Sequence, residues 1–400
     1  MSPELRCLLL ESQKAIAEQG EAYDALISGQ SGQRPPILRR SWMAGLWPAY
    51  VRQGSSLFFI AVMRGQAMVA LMPLVCRAAP GRLPLVRKLQ FFGQEAGALA
   101  LVNFCADVPV CPQQSPLESM QAIREFLYTQ LSDRWDVIEL RGFFHDSPCR
   151  AAFEQVFCAK AGQVSLPGFA VDLPAEAESL SACFSKSATR TLKKRLRRLH
   201  ESGLHFEFSV FTRMDEDLFG EIASLHSSRQ TELARRGRKG RDSVFDHPSL
   251  KVGLLQALVA QAEAGALRIY SLRIDGNLAA VQLLFGHDAE ACAWLTAMDS
   301  RYESFSPSRL LLDEMNRNEI LLYGTRAIDH MPGATPFKQE MTNRRYDTMN
   351  YEVVNRARAG ARVRYAVLAA GRRLRERIRA HTRRPLAEAA PAPSLQASDA

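Results

Sequence analysis

"ALRIYSLRIDGNLAAVQLLF", residues 266–285, is two apolar runs joined by Asp275-Gly276. An Asp-Gly pair between such runs signals a two-residue β-hairpin, whose central residues take positive φ. The pattern has an earlier echo. "SLFFIAVMRGQAMVALMPL" (56–74) again reads strand, Arg-Gly turn, strand, with Gly65 aligned to Gly276. Each hairpin is followed by a helical stretch and another short strand, "WDVIELRG" (135–142) and "GTRAIDHM" (324–331). The repetition predicts an α/β (α+β) chain of two tandem units, each a mixed twisted sheet flanked by helices.

Between the units, "FSKSATRTLKKRLRRLHESG" (184–203) predicts a basic helix, and two more helices follow over about 215–236 and 249–264. The expected organisation is an N-terminal unit over 1–165, a C-terminal unit over 166–355, a basic amphipathic helix over 356–384 and a disordered Pro/Ala/Ser-rich tail over 385–400. The charge is uneven. Residues 356–384 hold eleven arginines and one glutamate (+10), the tail holds two acids (−2), and the total is +9, so residues 1–355 sum to +9 − 10 + 2 = +1. The folded body is near neutral and the basicity sits on an appendage.

No apolar run approaches the ~20 residues of a membrane span. Glu4 and Glu11 bracket the N-terminal leucines, so no secretory signal is expected. The eight cysteines are scattered without a C-x-x-C pair, which points to free thiols, no metal site and a cytoplasmic setting. Neither a G-x-G-x-x-G nor a Walker lysine motif supports nucleotide chemistry.

Five stretches in the second half carry a resemblance: the helix 184–203, "LHSSRQTELARRGRKG" (225–240), the hairpin with "IDGNLAA" (274–280), "MDSRYESFSPSRLLLDEM" (298–315) and "DHMPGATPFKQEMTNRRY" (329–346). Together they resemble GNAT-fold acetyltransferases of the cellulose- and exopolysaccharide-biosynthesis type, tandem-GNAT proteins related to the peptidoglycan aminoacyl (Fem-type) transferases. The resemblance is best over roughly 180–350. Two departures stand out. Ser306-Pro307-Ser308 replaces the usual Ser-Pro-Gly, which puts a side chain where glycine lets a pyrophosphate approach. His330-Met331 and Phe337-Lys338 replace an aromatic after the strand acid and a Tyr-Lys pair.

The resemblance implies acyl-coenzyme A, acetyl-CoA in the simplest case, as co-substrate. Ser306, Pro307, Ser308 and Arg309 open a helix whose N-terminus suits a pyrophosphate, with Ser306 as cap, although a plain capped helix reads the same way. Asp329, at a strand end, would orient or deprotonate the acceptor, and Lys338 would swing back over the same opening; a turn cap and a solvated lysine are the bland alternatives. His226 is a second candidate base, with Arg229 one helical turn on. Tyr302 would protonate the leaving thiolate, and Phe337 and Arg229 would contact substrate. The run 235–241 reads as an Arg/Lys-dense loop. The first unit, read as lacking a Ser-Pro helix start, is expected to build one wall of the acceptor cleft.

The leading expectation is an acyltransferase acting on a small-molecule or lipid-linked sugar or envelope precursor, with peripheral contact to anionic membrane through 356–384. An aminoacyl-tRNA-dependent transferase and a non-catalytic scaffold are the alternatives. Nucleic acid is disfavoured because aromatics are not interleaved with the cations and the body is near neutral.

Overall fold

The two Gly-turn hairpins form the centre of two separate sheets. The computed structural model describes residues 4–30, 35–52, 54–78, 86–93, 107–144, 147–159, 166–237, 243–333 and 335–382. In the first half, β1 (Leu5–Leu10) precedes α1 (Gln13–Glu18), α2 (Gly20–Ser28), α3 (Pro35–Leu38) and α4 (Arg40–Arg52). The hairpin β2 (Ser55–Arg64) and β3 (Ala67–Ala78) leads to β4 (Arg87–Phe91), α5 (Pro116–Thr129), β5 (Val137–Phe144) and α6 (Pro148–Phe157). The second half repeats this order. It runs β6 (Gly168–Asp172), α7 (Lys186–Glu201), β7 (Phe206–Phe211), α8 (Glu216–Arg235), α9 (Pro248–Glu263), β8 (Leu267–Ile274) and β9 (Asn277–His287). Then come β10 (Glu290–Met298), α10 (Pro307–Tyr323), β11 (Ala327–Pro332), α11 (Pro336–Glu340), β12 (Arg344–Tyr346), β13 (Thr348–Val354) and α12 (Ala359–Thr382). Asp275 and Gly276 both take positive φ, 47° and 75°, as their hairpin requires.

The sheets are ordered β1-β2-β3-β4-β5-β13 and β12-β6-β11-β10-β9-β8-β7. Each is antiparallel except for one parallel pair, β4 with β5 and β10 with β11. In the first sheet the strand after the parallel pair comes from the other half of the chain. β6, at the start of the second half, pairs antiparallel with β11 of the same half, whereas β13, at its end, pairs antiparallel with β5 of the first. The expected division at residue 165 is corrected on this point, since β13 lies within 166–355 yet completes the first sheet. The first sheet is therefore completed by a strand of the second half, whereas every strand of the second sheet lies within 166–355.

A single apolar core also crosses the division. Leu57, Phe59 and Ala61 of β2, Trp42 and Leu46 of α4, Leu254 and Leu258 of α9, and Leu283 and Phe285 of β9 belong to one buried cluster. Trp42 meets Phe285 and Trp294 edge-on, with ring centroids 5.1 and 5.0 Å away. α4 and α9 cross glycine on glycine. A Cβ on Gly253 would lie 1.8 Å from the Gly45 carbonyl oxygen, and one on Gly45 would lie 2.3 Å from that of Gly253. The outer faces are covered by α5 and α6 on the first sheet, and by α7 and α10 on the second.

The expected lack of a Ser-Pro helix start in the first half is also overturned. Ser115-Pro116 opens α5, between β4 and β5, where Ser306-Pro307 opens α10 between β10 and β11. The 385–400 tail and residues 238–241 of the basic loop lie outside the described residues.

Candidate active site

β10 and β11 are paired only at Glu290↔Ala327, Ala291↔Ile328 and Cys292↔Asp329. Beyond that point β10 continues beside β9 to Met298, with a bulge between Ala293 and Leu295, while β11 runs along β6. Two parallel strands therefore part at Cys292 and Asp329 and leave a wedge between them. The chain leaving β10 passes through a 3₁₀ turn (Ser300–Phe305) into α10.

Asp329 is buried and well bonded. The Tyr346 hydroxyl is 2.8 Å from both carboxylate oxygens, and the Met331 amide donates to Oδ1 at 2.7 Å. Met331 takes φ 65°, an uncommon conformation for a residue with a side chain, at the irregularity in the β11–β6 pairing. The Tyr346 ring lies flat on Gly168, where a Cβ would come within 2.0 Å of it. Across the division, Phe144 at the end of β5 stacks on Tyr346 with centroids 5.8 Å apart. Cys292, Met331 and Phe144 form a small apolar cluster against the same tyrosine. Burial, reinforced by the Asp329 charge, pushes the Cys292 thiol well above its ordinary range, so this cysteine is no nucleophile.

Lys338 swings back as expected, but its Nζ donates to the carbonyls of Met331 at 3.0 Å and Pro332 at 3.3 Å. It pins the end of β11. Phe337 packs half-buried on the α7–α10 side of the sheet. Arg309 pairs with Glu340 at 2.6 Å, which ties the first turn of α10 to α11. The sequence reasoning thus named three elements that do meet: the start of α10, the end of β11 and α11.

Ser306 corrects one expectation. It occupies the N-cap position of α10 in the left-handed conformation, φ 57°, and its side chain caps nothing. The first turn of α10 contains no acid, and Arg195 of α7 donates to the Ser304 carbonyl just ahead of it at 2.5 Å. α5 starts differently. Ser115 caps the amide of Glu118, and Glu118 puts a carboxylate in the first turn. An anion is therefore suited to the α10 start, not to that of α5. The wedge acids differ as well. Glu139 stands in "VIEL" where Asp329 stands in "AIDH". Burial would raise its carboxyl, but Lys88 and Arg141, at 2.8 and 2.9 Å, outweigh this and hold it down at about 2.

His226 is bonded elsewhere. Its Nδ1 is 2.7 Å from Ser243 Oγ and its ring meets Phe245 edge-on. Burial pulls it down to about 4, with Asp246 partly opposing. Arg229, one turn on along α8, is half-buried. Tyr302 donates to the Ile274 carbonyl at 3.3 Å. His330, on the side of β11 away from Asp329, is drawn down to about 3 by burial and then by Lys338. Among the described residues no cluster of His, Cys, Asp or Glu could hold a metal, and none of the described cysteines is in a disulfide.

Sequence reasoning missed Tyr346, Gly168 and Phe144. In "RRYDTMN" the apolar Tyr346 and Met349 stand three apart, so no strand alternation marks Tyr346.

Residues 186–339 match the acetyltransferase (GNAT) domain family. The matched stretch contains the wedge and the α10 start. Among solved structures, FemX is similar at 10% identity, with 84% of this chain and 96% of that chain covered and a TM-score of 0.54. A conserved protein of unknown function from Bacteroides thetaiotaomicron VPI-5482 is similar at 9% identity, with 86% and 100% covered and a TM-score of 0.52. The C-terminal domain of a putative lysylphosphatidylglycerol synthetase from Agrobacterium fabrum is similar at 15% identity, with 90% and 97% covered and a TM-score of 0.50. These likenesses extend over both halves and establish the fold. No curated protein matches the chain.

Proposed function

We propose that the chain transfers an acyl group, acetyl in the simplest case, from coenzyme A to an amine or hydroxyl of a sugar or cell-envelope precursor. The observation that carries this reading is the β10–β11 wedge, opening at a buried, oriented carboxylate within a GNAT-family stretch. The residues at the α10 start suit the pyrophosphate: Ser306 leaves the first turn uncapped, no acid stands in it, and Arg195 and Arg309 lie nearby. Ser308 is the position where a side chain meets that group.

In the reaction the acceptor attacks the thioester carbonyl, the carbonyl oxygen takes up negative charge, and the thiolate leaves as the carbonyl re-forms. Asp329 accepts the acceptor's proton or its hydrogen bond, held by Tyr346 in one orientation. The β10 backbone freed from β11 past Cys292 offers N–H groups to the developing oxyanion. Lys338, by fixing the carbonyls of Met331 and Pro332, keeps the mouth of the wedge in shape. With Glu139 neutralised by two cations, the first half acts as a wall, contributing Phe144. An aminoacyl-tRNA donor is the second reading, favoured by the exposed cations of α7 beside the α10 start.

The test is calorimetric titration of acetyl-CoA into the protein and into Ser308→Glu. Micromolar binding lost in the variant supports the reading. Equal binding in both moves the donor away from α10, and no binding in either favours the aminoacyl-tRNA donor.

A further inference from the structure

Helix α12 is docked through Ala361, Arg364, Tyr365 and the half-buried Leu368. Ala361 is fully buried, and Arg364 reaches the buried Asp136 carboxylate beside Arg87. Tyr365 donates to Glu352, and Arg358 donates to the Asp133 carbonyl at 2.6 Å. Just ahead of the helix, the Asn355 amide donates to the carbonyls of Ser132 and Trp135 at 2.8 and 3.1 Å. Three large apolar residues point the other way. Val363, Val367 and Leu374 are 63%, 52% and 60% exposed. With 3.6 residues per turn they fall within an arc of about 40°, roughly 60–100° from Arg364. A helix that rests on a soluble body ordinarily turns its apolar stripe inward. Here the stripe faces out, and the exposed Arg362 and Arg373 border it along one edge.

We propose that α12 lies in the plane of an anionic lipid surface, with Val363, Val367 and Leu374 entering the acyl boundary and the arginines among the headgroups. Charge selects this occupant. The +10 of residues 356–384 stands against a body near +1, so attraction to a negative surface is concentrated on one helix. A nucleic acid would use the cations but leave the aliphatic stripe bare, and the stripe has no aromatic on which a base could stack. Among the described residues no helix is long and apolar enough to cross a membrane, so the contact is peripheral. This proposal stands independently of the acyl-transfer reading.

Flotation of the full chain with phosphatidylcholine vesicles, and with vesicles that also contain phosphatidylglycerol, tests it. The chain is expected to float only with the anionic vesicles. Val363→Glu combined with Val367→Glu should lower partitioning at least about tenfold. Arg362→Gln and Arg373→Gln should each lower it roughly fivefold at low salt, the equivalent of about 1 kcal/mol per charge. All four side chains are exposed, so these variants should melt with the parent; if the glutamates shift the melt, Val363→Ser with Val367→Ser replaces them. Flotation unchanged by the valine variants, or no flotation with anionic vesicles, overturns the proposal. A dimer in solution that Val363→Glu with Val367→Glu dissociates would assign the stripe to a second copy, and transfer RNA bound in preference to vesicles would assign the arginines to nucleic acid; either also overturns it.

Discussion

The Tyr346 hydroxyl sits 2.8 Å from both oxygens of Asp329 and reaches them from a strand two places along the sheet. β6 lies between β12 and β11, and the ring can cross it only because Gly168 has no side chain. The catalytic part proposed for Asp329 therefore depends on a residue of β6 that touches neither its carboxylate nor any substrate.

Tyr346→Phe keeps the ring and removes the bond. A hydrogen bond to a charged group is worth about 1.5–3 kcal/mol, so kcat/KM should fall about 10- to 100-fold. Gly168→Ala should match it by lifting the ring. Thiol release from acetyl-CoA reads both. Full activity in the two variants would remove Tyr346 from the site.

The two buried histidines set an acid limit on stability. Folded, His226 and His330 lie at about 4 and about 3, whereas an unfolded imidazole titrates near 6.5. Between those values the unfolded chain binds more protons, so stability is complete above pH 6.5 and is lost as pH falls towards 4. The loss at pH 5 is about 2 kcal/mol per histidine. Urea unfolding at pH 7.5 and pH 5 measures it. His330 Nε2 has no hydrogen-bond partner among the described residues, so His330→Met should flatten the pH slope by about half without destabilising the chain at pH 7.5. An unchanged slope would show that His330 is already charged or exposed.

The α4–α9 crossing has no room for a methyl group. Gly253→Ala would bring Cβ against the Gly45 carbonyl, so the helices must separate. A loss of about 3 kcal/mol is expected, the upper end for overpacking. Chemical denaturation of the variant gives the value directly. A loss under about 0.5 kcal/mol would mean that the helices slide apart freely.

Much of this fold is legible because its signals are local. Asp275-Gly276 and Gly65 mark turns, apolar runs flank them, and Ser306-Pro307 opens α10, although sequence reasoning missed its equivalent Ser115-Pro116. The pairing of β13 with the first sheet leaves no such mark, since that choice depends on contacts far apart in the chain. The site divides in the same way. Asp329 and Lys338 are visible as an acid and a cation around a Pro-Gly turn. Tyr346 is one aromatic among several until β12 is placed beside β6. The buried set of Arg268, Tyr270, Glu319 and Thr325 was equally invisible, because its members are bonded across α10 and β8 and scattered along the chain.

The place of β13 in the first sheet predicts how the chain comes apart. A fragment of residues 1–165 lacks β13, leaves the outer edge of β5 unpaired, and exposes the apolar face that α9 and β9 cover in the whole chain. An uncovered strand edge beside an apolar face favours aggregation. The fragment is therefore expected to be insoluble or molten, and the intact chain to melt in one transition. Calorimetry of the full chain, with circular dichroism of the fragment, decides it. Two separate transitions, or a fragment that melts cooperatively alone, would mean that the halves are independent and that β13 is only an ornament on the first sheet. In the expected case, wedge and wall are held in one rigid unit, and a substitution in the first half, such as Phe144→Ala, should lower activity through Tyr346 without touching the acyl donor.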